Sequence, residues 1–243
     1  MCAISGKTEE QLNEQDADTL QQLKATAALF PDEWVDSELG EVPDKWRFGT
    51  LDDLCDLNAA SWTKKNAPSD IWYVDLANTK NGVIEETQYY SWTDAPSRAR
   101  RILREGDTIV GTVRPGNRSF ALIGNLEKKL TGSTGFAVLS PKKKEYLEMV
   151  YIVATSDVNI ERLEHLADGG AYPAVRPDVV TQMKTVIPKK GLIQAFSECV
   201  RPLFLMRNKN ISMQDDLREM RDALLPKLLS GELGQDSQPR DVG

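Results

Sequence analysis

KKGLIQAFSECVRPLFLMRNKNISMQDDLREMRDALLPKLLS, residues 189–230, is the stretch from which the architecture is most directly read. Within it Leu192, Phe196, Cys199, Leu203, Met206, Asn210, Met213, Leu217, Met220 and Leu224 follow an unbroken alternation of four- and three-residue steps. That is the heptad pattern of a helix packed along another helix. At 1.5 Å per residue the helix would extend roughly 60 Å, more than one small domain can cover. Its seam therefore needs a partner, and the candidates are the N-terminal helix, a second copy of the chain or another subunit. Pro202 removes a backbone donor and predicts a kink in the first third. Asn210 puts a polar group in the seam, where it either fixes register or sits at a solvated end. The residues after this helix, 232–243, read as a disordered tail.

Upstream of Pro188 the rhythm is mixed and short. IWYVDL (71–76), DTIVGTVR (107–114), SFALIG (119–124), GFAVLS (135–140) and KTVIP (184–188) are rich in β-branched and aromatic residues and bounded by turn formers, so strands are expected there. EYLEMVYIVAT (145–155) and NIERLEHLADGG (159–170) have helical periodicity, the second stopped by Gly169-Gly170. Residues 44–188 thus form an α+β globule, large enough for its own core. At the N-terminus, Leu12, Leu20, Leu23, Ala27 and Phe30 recur at near-helical spacing and predict one helix, ended by Pro31. Residues 31–46 then read as an irregular acidic connector anchored by Trp34 and Trp46. The expected organisation is an N-terminal helix and connector (1–43), the globule (44–188), a long helix (189–231) and the tail (232–243).

The chain of 243 residues carries 37 acidic and 30 basic side chains, a net charge of −7 that argues at first against a polyanionic partner. Residues 1–43, with 10 acidic and 2 basic side chains, hold the whole of that excess; residues 44–188 hold 19 of each. One His, His165, and three widely spaced Cys (Cys2, Cys55, Cys199) assemble no CxxC, HExxH or other zinc or nucleophile pattern. No phosphate-binding glycine loop occurs, and no apolar stretch of about 18 residues could cross a membrane. With no basic leader preceding an apolar segment, a reduced, cytoplasmic setting is expected. His165 lies at helical spacing from Glu161 and Glu164, as a structural or solvated helix-end histidine does, and no metal or catalytic residue is nominated.

The densest basic feature holds Arg98, Arg100, Arg101, Arg104, Arg114 and Arg118 within 21 residues, against only Glu105 and Asp107. Arginine is informative because its planar guanidinium takes a phosphate or a guanine edge bidentately. TVRPGNRSF reads as a hairpin with Pro115-Gly116 at the centre of a type II turn, projecting Arg114, Asn117 and Arg118 from its tip. Arg suits guanine and Asn suits adenine in the major groove; the ordinary alternative is a solvated turn with salt-bridged arginines. Lys64 and Lys65, and the run Lys142–Lys144, are weaker candidates for phosphate contact or plain solubilising residues. GGAYPAVRPD (169–178) exposes Tyr172 and Arg176 between glycines and prolines, or packs Tyr172 on the core.

The order of these elements resembles the specificity subunits of type I restriction-modification enzymes. The segments that carry the resemblance are VPDKWRFGTLDDLCDL (42–57), GDTIVGTVRPGNRSFALI (106–123), TGSTGFAVLSPK (131–142), AYPAVRPDVVTQMKTVIPKK (171–190) and LLPKLLSGEL (224–233), and together they extend over residues 30–233. The resemblance implies a target recognition domain that binds double-stranded DNA and reads half of a bipartite site. It also implies a following spacer helix that docks methyltransferase (M) subunits, with restriction (R) subunits completing the complex. It implies no cofactor in this chain; S-adenosylmethionine, ATP and Mg²⁺ would belong to the partners. One recognition domain and one spacer helix, preceded by LKATAALFPDEWVDSELGEVP (23–43), look like the C-terminal half of such a subunit, either a natural half-subunit or a fragment. Such a half would form a homodimer through its heptads to rebuild a two-part reader. On this view Arg114, Asn117 and Arg118 are base readers, and Arg98, Arg100, Arg101, Lys64, Lys65, Tyr172 and Arg176 are further DNA contacts. A coiled-coil adaptor with no sequence-specific readout is the competing expectation.

Overall fold

The computed structural model describes residues 6–31, 33–44, 46–124, 128–167 and 173–232. By its internal contacts the chain divides into two compact units, Met1–Val200 and Arg201–Gly243. In the first unit, two short helices, α1 (Glu9–Asn13) and α2 (Ala17–Ala27), precede strands β1 (Trp34–Ser37), β2 (Gly40–Pro43), β3 (Arg47–Thr50) and β4 (Cys55–Leu57). Then follow β5 (Asp70–Val74), β6 (Thr79–Lys80), β7 (Val83–Ile84), β8 (Gln88–Ser91), β9 (Ala99–Ile102), β10 (Thr108–Gly111), β11 (Phe120–Leu122), β12 (Leu130–Ser133) and β13 (Phe136–Pro141). Helices α3 (Leu147–Thr155), α4 (Asp157–Ala167) and α5 (Pro177–Thr181), strand β14 (Lys184–Ile187) and helix α6 (Lys190–Leu229) complete the order.

The centre of the globule is a four-stranded antiparallel sheet in the order β11-β10-β13-β4. Alternation along its strands sends side chains to two separate cores. Val110, Phe120, Ala137 and Leu139 meet Val150 and Ala154 of α3, Ile160 and Leu163 of α4 and Val180 of α5. Their neighbours Ile109, Ala121, Phe136 and Val138 point the other way and meet Val74, Leu103 and Leu130 of a second sheet, ordered β8-β5-β12-β9. A sheet covered on both faces favours apolar residues at successive positions, which is why IV and FAVL read as continuous hydrophobic runs, with buried Thr108 a polar exception in β10. Phe136 and Leu139 are fully buried, each worth about 1.5–3 kcal/mol of transfer free energy. The second sheet is mixed, with β12 parallel to β5 and antiparallel to β9. β3 pairs antiparallel with β14, placing Phe48 opposite Val186 and joining the two ends of the globule. The five expected strands are present, within an α+β fold.

Two expectations at the N-terminus are corrected. The single helix is broken at Asp16, whose carboxylate accepts the Thr19 N–H at 2.8 Å and caps a new helix. The irregular connector contains the β1–β2 hairpin, with Gly40 at φ 91° supplying a turn conformation that residues with a Cβ rarely adopt. Beyond it, Phe30 stacks at 5.7 Å on Trp46.

Helix α6 runs through both Pro202 and Pro226. Its first turns belong to the globule: Leu192 and Ile193 are buried, and Ser197 Oγ donates to the buried Glu148 of α3 at 2.8 Å. In the second unit, Leu203, Met206, Met213, Leu217, Met220 and Leu224 are all exposed, as is Asn210. Phe196 stands at the margin between the two classes, 36% exposed. The expected Gly169-Gly170 helix stop and the C-terminal tail from residue 233 lie outside the described residues.

Candidate nucleic-acid interface

The chain between β10 and β11 does form a hairpin, but its turn differs from the expected one. Pro115–Asn117 is a single 3₁₀ turn, and Gly116 does not adopt the positive φ that a type II turn requires. The left-handed residues are Arg114 (φ 47°, ψ 64°) and Arg118 (φ 57°, ψ 40°), one on each side. Nor is the turn a projecting tip. Pro115 is buried, and Gly116 lies so close to α4 that a Cβ there would collide with the Glu164 carboxylate.

The other side of this turn opens on a cleft of about 540 Å³. Arg114 and Asn117 line it from the turn, Thr112 and Ser119 from the ends of β10 and β11, and Ser133–Gly135 from the β12–β13 corner. Asp75 and Arg98 complete it from the second sheet. Arg98 Nη2 lies 3.2 Å from Asp75, whose other oxygen caps the Leu76 N–H at 2.7 Å, and the Arg98 carbonyl accepts from Thr134 N at 2.8 Å. The Arg98 guanidinium is thus held on the wall yet 59% exposed. Arg114 is anchored by its backbone, donating to Pro173 O at 2.9 Å, while its exposed side chain has no ion-pair partner among the described residues. Such a cleft, with one oriented and one free guanidinium beside an amide, can take an anionic backbone or a base edge.

Three candidates separated in sequence, Arg98, Arg114 and Asn117, therefore converge. Arg118 faces away from the cleft, donating through Nη2 to Asp157 at 2.6 Å and through Nε to Asn81 at 3.0 Å. Arg100 and Arg101, both on β9, are half-buried. Arg100 stacks 4.6 Å over the Trp92 ring. Arg101 donates to Ser61 Oγ at 3.2 Å, while its buried Nε has no partner among the described residues. Burial lowers the Arg101 pKa. Lys64 and Lys65 are exposed on a turn closed by Asn66. Arg176 is 83% exposed and pairs with Asp178 at 3.1 Å. A bridge between Val113 and Ala174, and a Val175 N–H donated to Thr112 O at 2.9 Å, attach the segment just before it to the strand leading into Arg114. Tyr172 lies outside the described residues.

Sequence reading missed Asn81, Asp157 and Trp92. Asn81-Gly82 carried a hairpin signal, and both residues do sit at positive φ between β6 and β7. Nothing local announced that this turn meets Arg118. Elsewhere the chemistry is quiet. His165 is exposed on α4, and burial pushes the Cys55 thiol up to about 12. Among the described residues no cluster of His, Cys, Asp or Glu could hold a metal, and no helix is long and apolar enough to cross a membrane.

No family model matches the chain. It is 25% identical to the specificity subunit of the Haemophilus influenzae type I restriction enzyme HindI, in an alignment spanning 96% of this chain and 53% of that protein. This chain is similar to type I restriction specificity subunits. The Methanocaldococcus jannaschii MjaIX specificity subunit is 24% identical, over 79% of this chain and 45% of that one. The crystal structure of the HsdS subunit from Thermoanaerobacter tengcongensis superposes on 82% of this chain and 53% of its own, with a TM-score of 0.54 and 25% identity. A chain from a structure of the type I restriction-modification system shares the fold at a TM-score of 0.52 and 23% identity. The chain spans about half the length of the curated relatives it matches.

Proposed function

We propose that this chain reads DNA sequence for a type I restriction-modification complex and leaves the chemistry to other chains. The globule binds duplex DNA with Arg114 and Asn117 at the base edges and Arg98 orienting a phosphate. Arg176, Lys64 and Lys65 extend the positive surface, and Arg100 and Arg101 act mainly within the fold. One globule specifies one half of a bipartite target; the other half falls to a second globule, brought by a second copy through the heptad face of α6. The long helix also docks methyltransferase subunits, by surface that the paired seam leaves open, and restriction subunits join the assembly through them. Adenine methylation and ATP-driven cleavage, with their S-adenosylmethionine, ATP and Mg²⁺, reside on those cytoplasmic partners. The observation that carries this reading is the convergence of Arg98, Arg114 and Asn117 on one open cleft in a chain similar to named specificity subunits.

A second reading, an adaptor that binds only proteins, draws on the exposed apolar residues of α6. Methylome sequencing of cells with and without the gene separates the two. Loss of a bipartite adenine-methylation motif supports the DNA reader, whereas an unchanged methylome with intact helix-mediated association supports the adaptor.

A further inference from the structure

Two arginines bracket the Pro115–Asn117 turn in the left-handed conformation, which is costly for any residue with a Cβ and persists only where the surroundings over-determine it. Arg118 supplies that determination. Its Nη2 donates to Asp157 Oδ1 at 2.6 Å, at the N-terminus of α4, and its Nε donates to Asn81 Oδ1 at 3.0 Å. Its guanidinium also lies 5.6 Å over the Phe120 ring. The backbone repeats the connection: Asn81 N donates to Arg118 O at 2.9 Å, and Arg118 N donates to Pro115 O at 2.8 Å. Asn81 is itself left-handed at φ 48°, so two strained turns are tied to each other. Two turns further along α4, Glu164 lies against Gly116 and leaves no room for the turn to shift toward the helix.

A direct base reader needs its guanidinium fork free for two parallel bonds. Two of the three Arg118 nitrogens are already engaged by different acceptors, and its side chain is only 35% exposed. Arg114 and Asn117, carried by the same turn, line the cleft. We infer that Asn81, Arg118 and Asp157 form a latch that holds Arg114 and Asn117 in reading position. Arg118 thus sets DNA preference through the turn and not by touching bases. This inference rests on the DNA reading proposed above; Arg118 is a positioning residue within it.

The test selects the preferred half-site of the full chain from a random duplex library. It then measures, over a range of salt, the ratio of affinities for that duplex and a scrambled one. Asp157→Ala and Asn81→Ala, which remove the two acceptors, each lower the ratio about tenfold, the worth of one well-aligned base contact, while affinity for scrambled DNA and its salt slope stay unchanged. The conservative Asn81→Asp, which keeps the acceptor and tolerates the left-handed turn, restores the ratio. Asp157 is 75% exposed, so Asp157→Ala carries the test even if Asn81→Ala unfolds. If Asp157→Ala merely tightens binding to all DNA through its lost negative charge, with the ratio intact, the latch is overturned. A salt slope reduced by about one in Arg118→Ala would make Arg118 a phosphate contact and overturn it as well. A wild-type chain that selects no sequence overturns the DNA reading and the latch together, whereas selection by wild type with unaffected variants overturns the latch alone.

Discussion

Replacing Arg114 by alanine separates base reading from every structural role of the turn. Its side chain is exposed and without an ion-pair partner among the described residues, and its tie to the fold is the backbone N–H donated to Pro173 O at 2.9 Å, which alanine keeps. Alanine also keeps a Cβ at φ 47°, so the left-handed cost is unchanged, and stability should move by no more than about 0.5 kcal/mol. Arg114→Gly relieves about 1 kcal/mol of that cost and returns part of it through a more flexible unfolded chain, leaving stability unchanged or slightly raised. Binding behaves differently. Loss of a bidentate guanine contact costs about 1–3 kcal/mol, roughly 5- to 150-fold in Kd, at the selected half-site and little on scrambled duplex. Fluorescence anisotropy with both duplexes at several salt concentrations, beside thermal melts of wild type, Arg114→Ala and Arg114→Gly, gives the comparison. Both variants should lose preference equally while their melting points diverge or stay level. An equal loss on every duplex with a shallower salt slope would make Arg114 a phosphate contact, and no loss at all would remove it from the interface.

The exposed heptad residues predict self-association, which Leu217→Glu combined with Leu224→Glu should abolish without lowering helix content, because Glu is a good helix former; sedimentation velocity of a wild type that is already monomeric at micromolar concentration would refute this. Burial raises the pKa of Asp107, against the opposing Ser140 hydroxyl and Arg104 N–H, so the folded state holds a proton that the unfolded state releases above its ordinary value of 3.8. Stability should therefore fall as pH rises from 3.8 through the raised pKa and stay level above it, and Asp107→Asn should flatten that stretch of a denaturation profile measured against pH. Cys199 is exposed and Cys55 is buried with its thiol pushed up to about 12, so native-state alkylation followed by peptide mass spectrometry should label Cys199 first and reach Cys55 only on unfolding.

Legibility in the sequence followed the range over which each signal acts. The 4-3 spacing from Leu192 to Leu224 located α6 to within a residue at each end of the 189–230 window, because helix periodicity is set by neighbours three and four positions away. Continuous runs such as FAVL announced strands for a comparable reason: their sheet is covered on both faces, so successive side chains there are apolar. β9 escaped notice because its sequence, ARRI, places two arginines in a strand, one stacked on Trp92 and one bonded to Ser61, and both partners come from distant segments. The helix break at Asp16 was missed although aspartate is a strong cap; good helix formers on both sides outweighed it in the periodicity.

What the sequence determined by itself was the α+β globule, the long helix with its apolar seam, and a density of arginines against a neutral background. What only the tertiary structure decided was which arginines work together. Arg98 and Arg114 lie 16 residues apart and share a cleft, while Arg118, four residues beyond Arg114, turns to Asp157 and Asn81. The physical reason is that a side chain's direction at a turn depends on φ and on partners the local sequence does not name: Arg118 meets a hairpin and a helix 37 and 39 residues away in the chain, and Arg114 is tied through its backbone to Pro173. Residue type carried the chemistry, and long-range packing assigned it to a place.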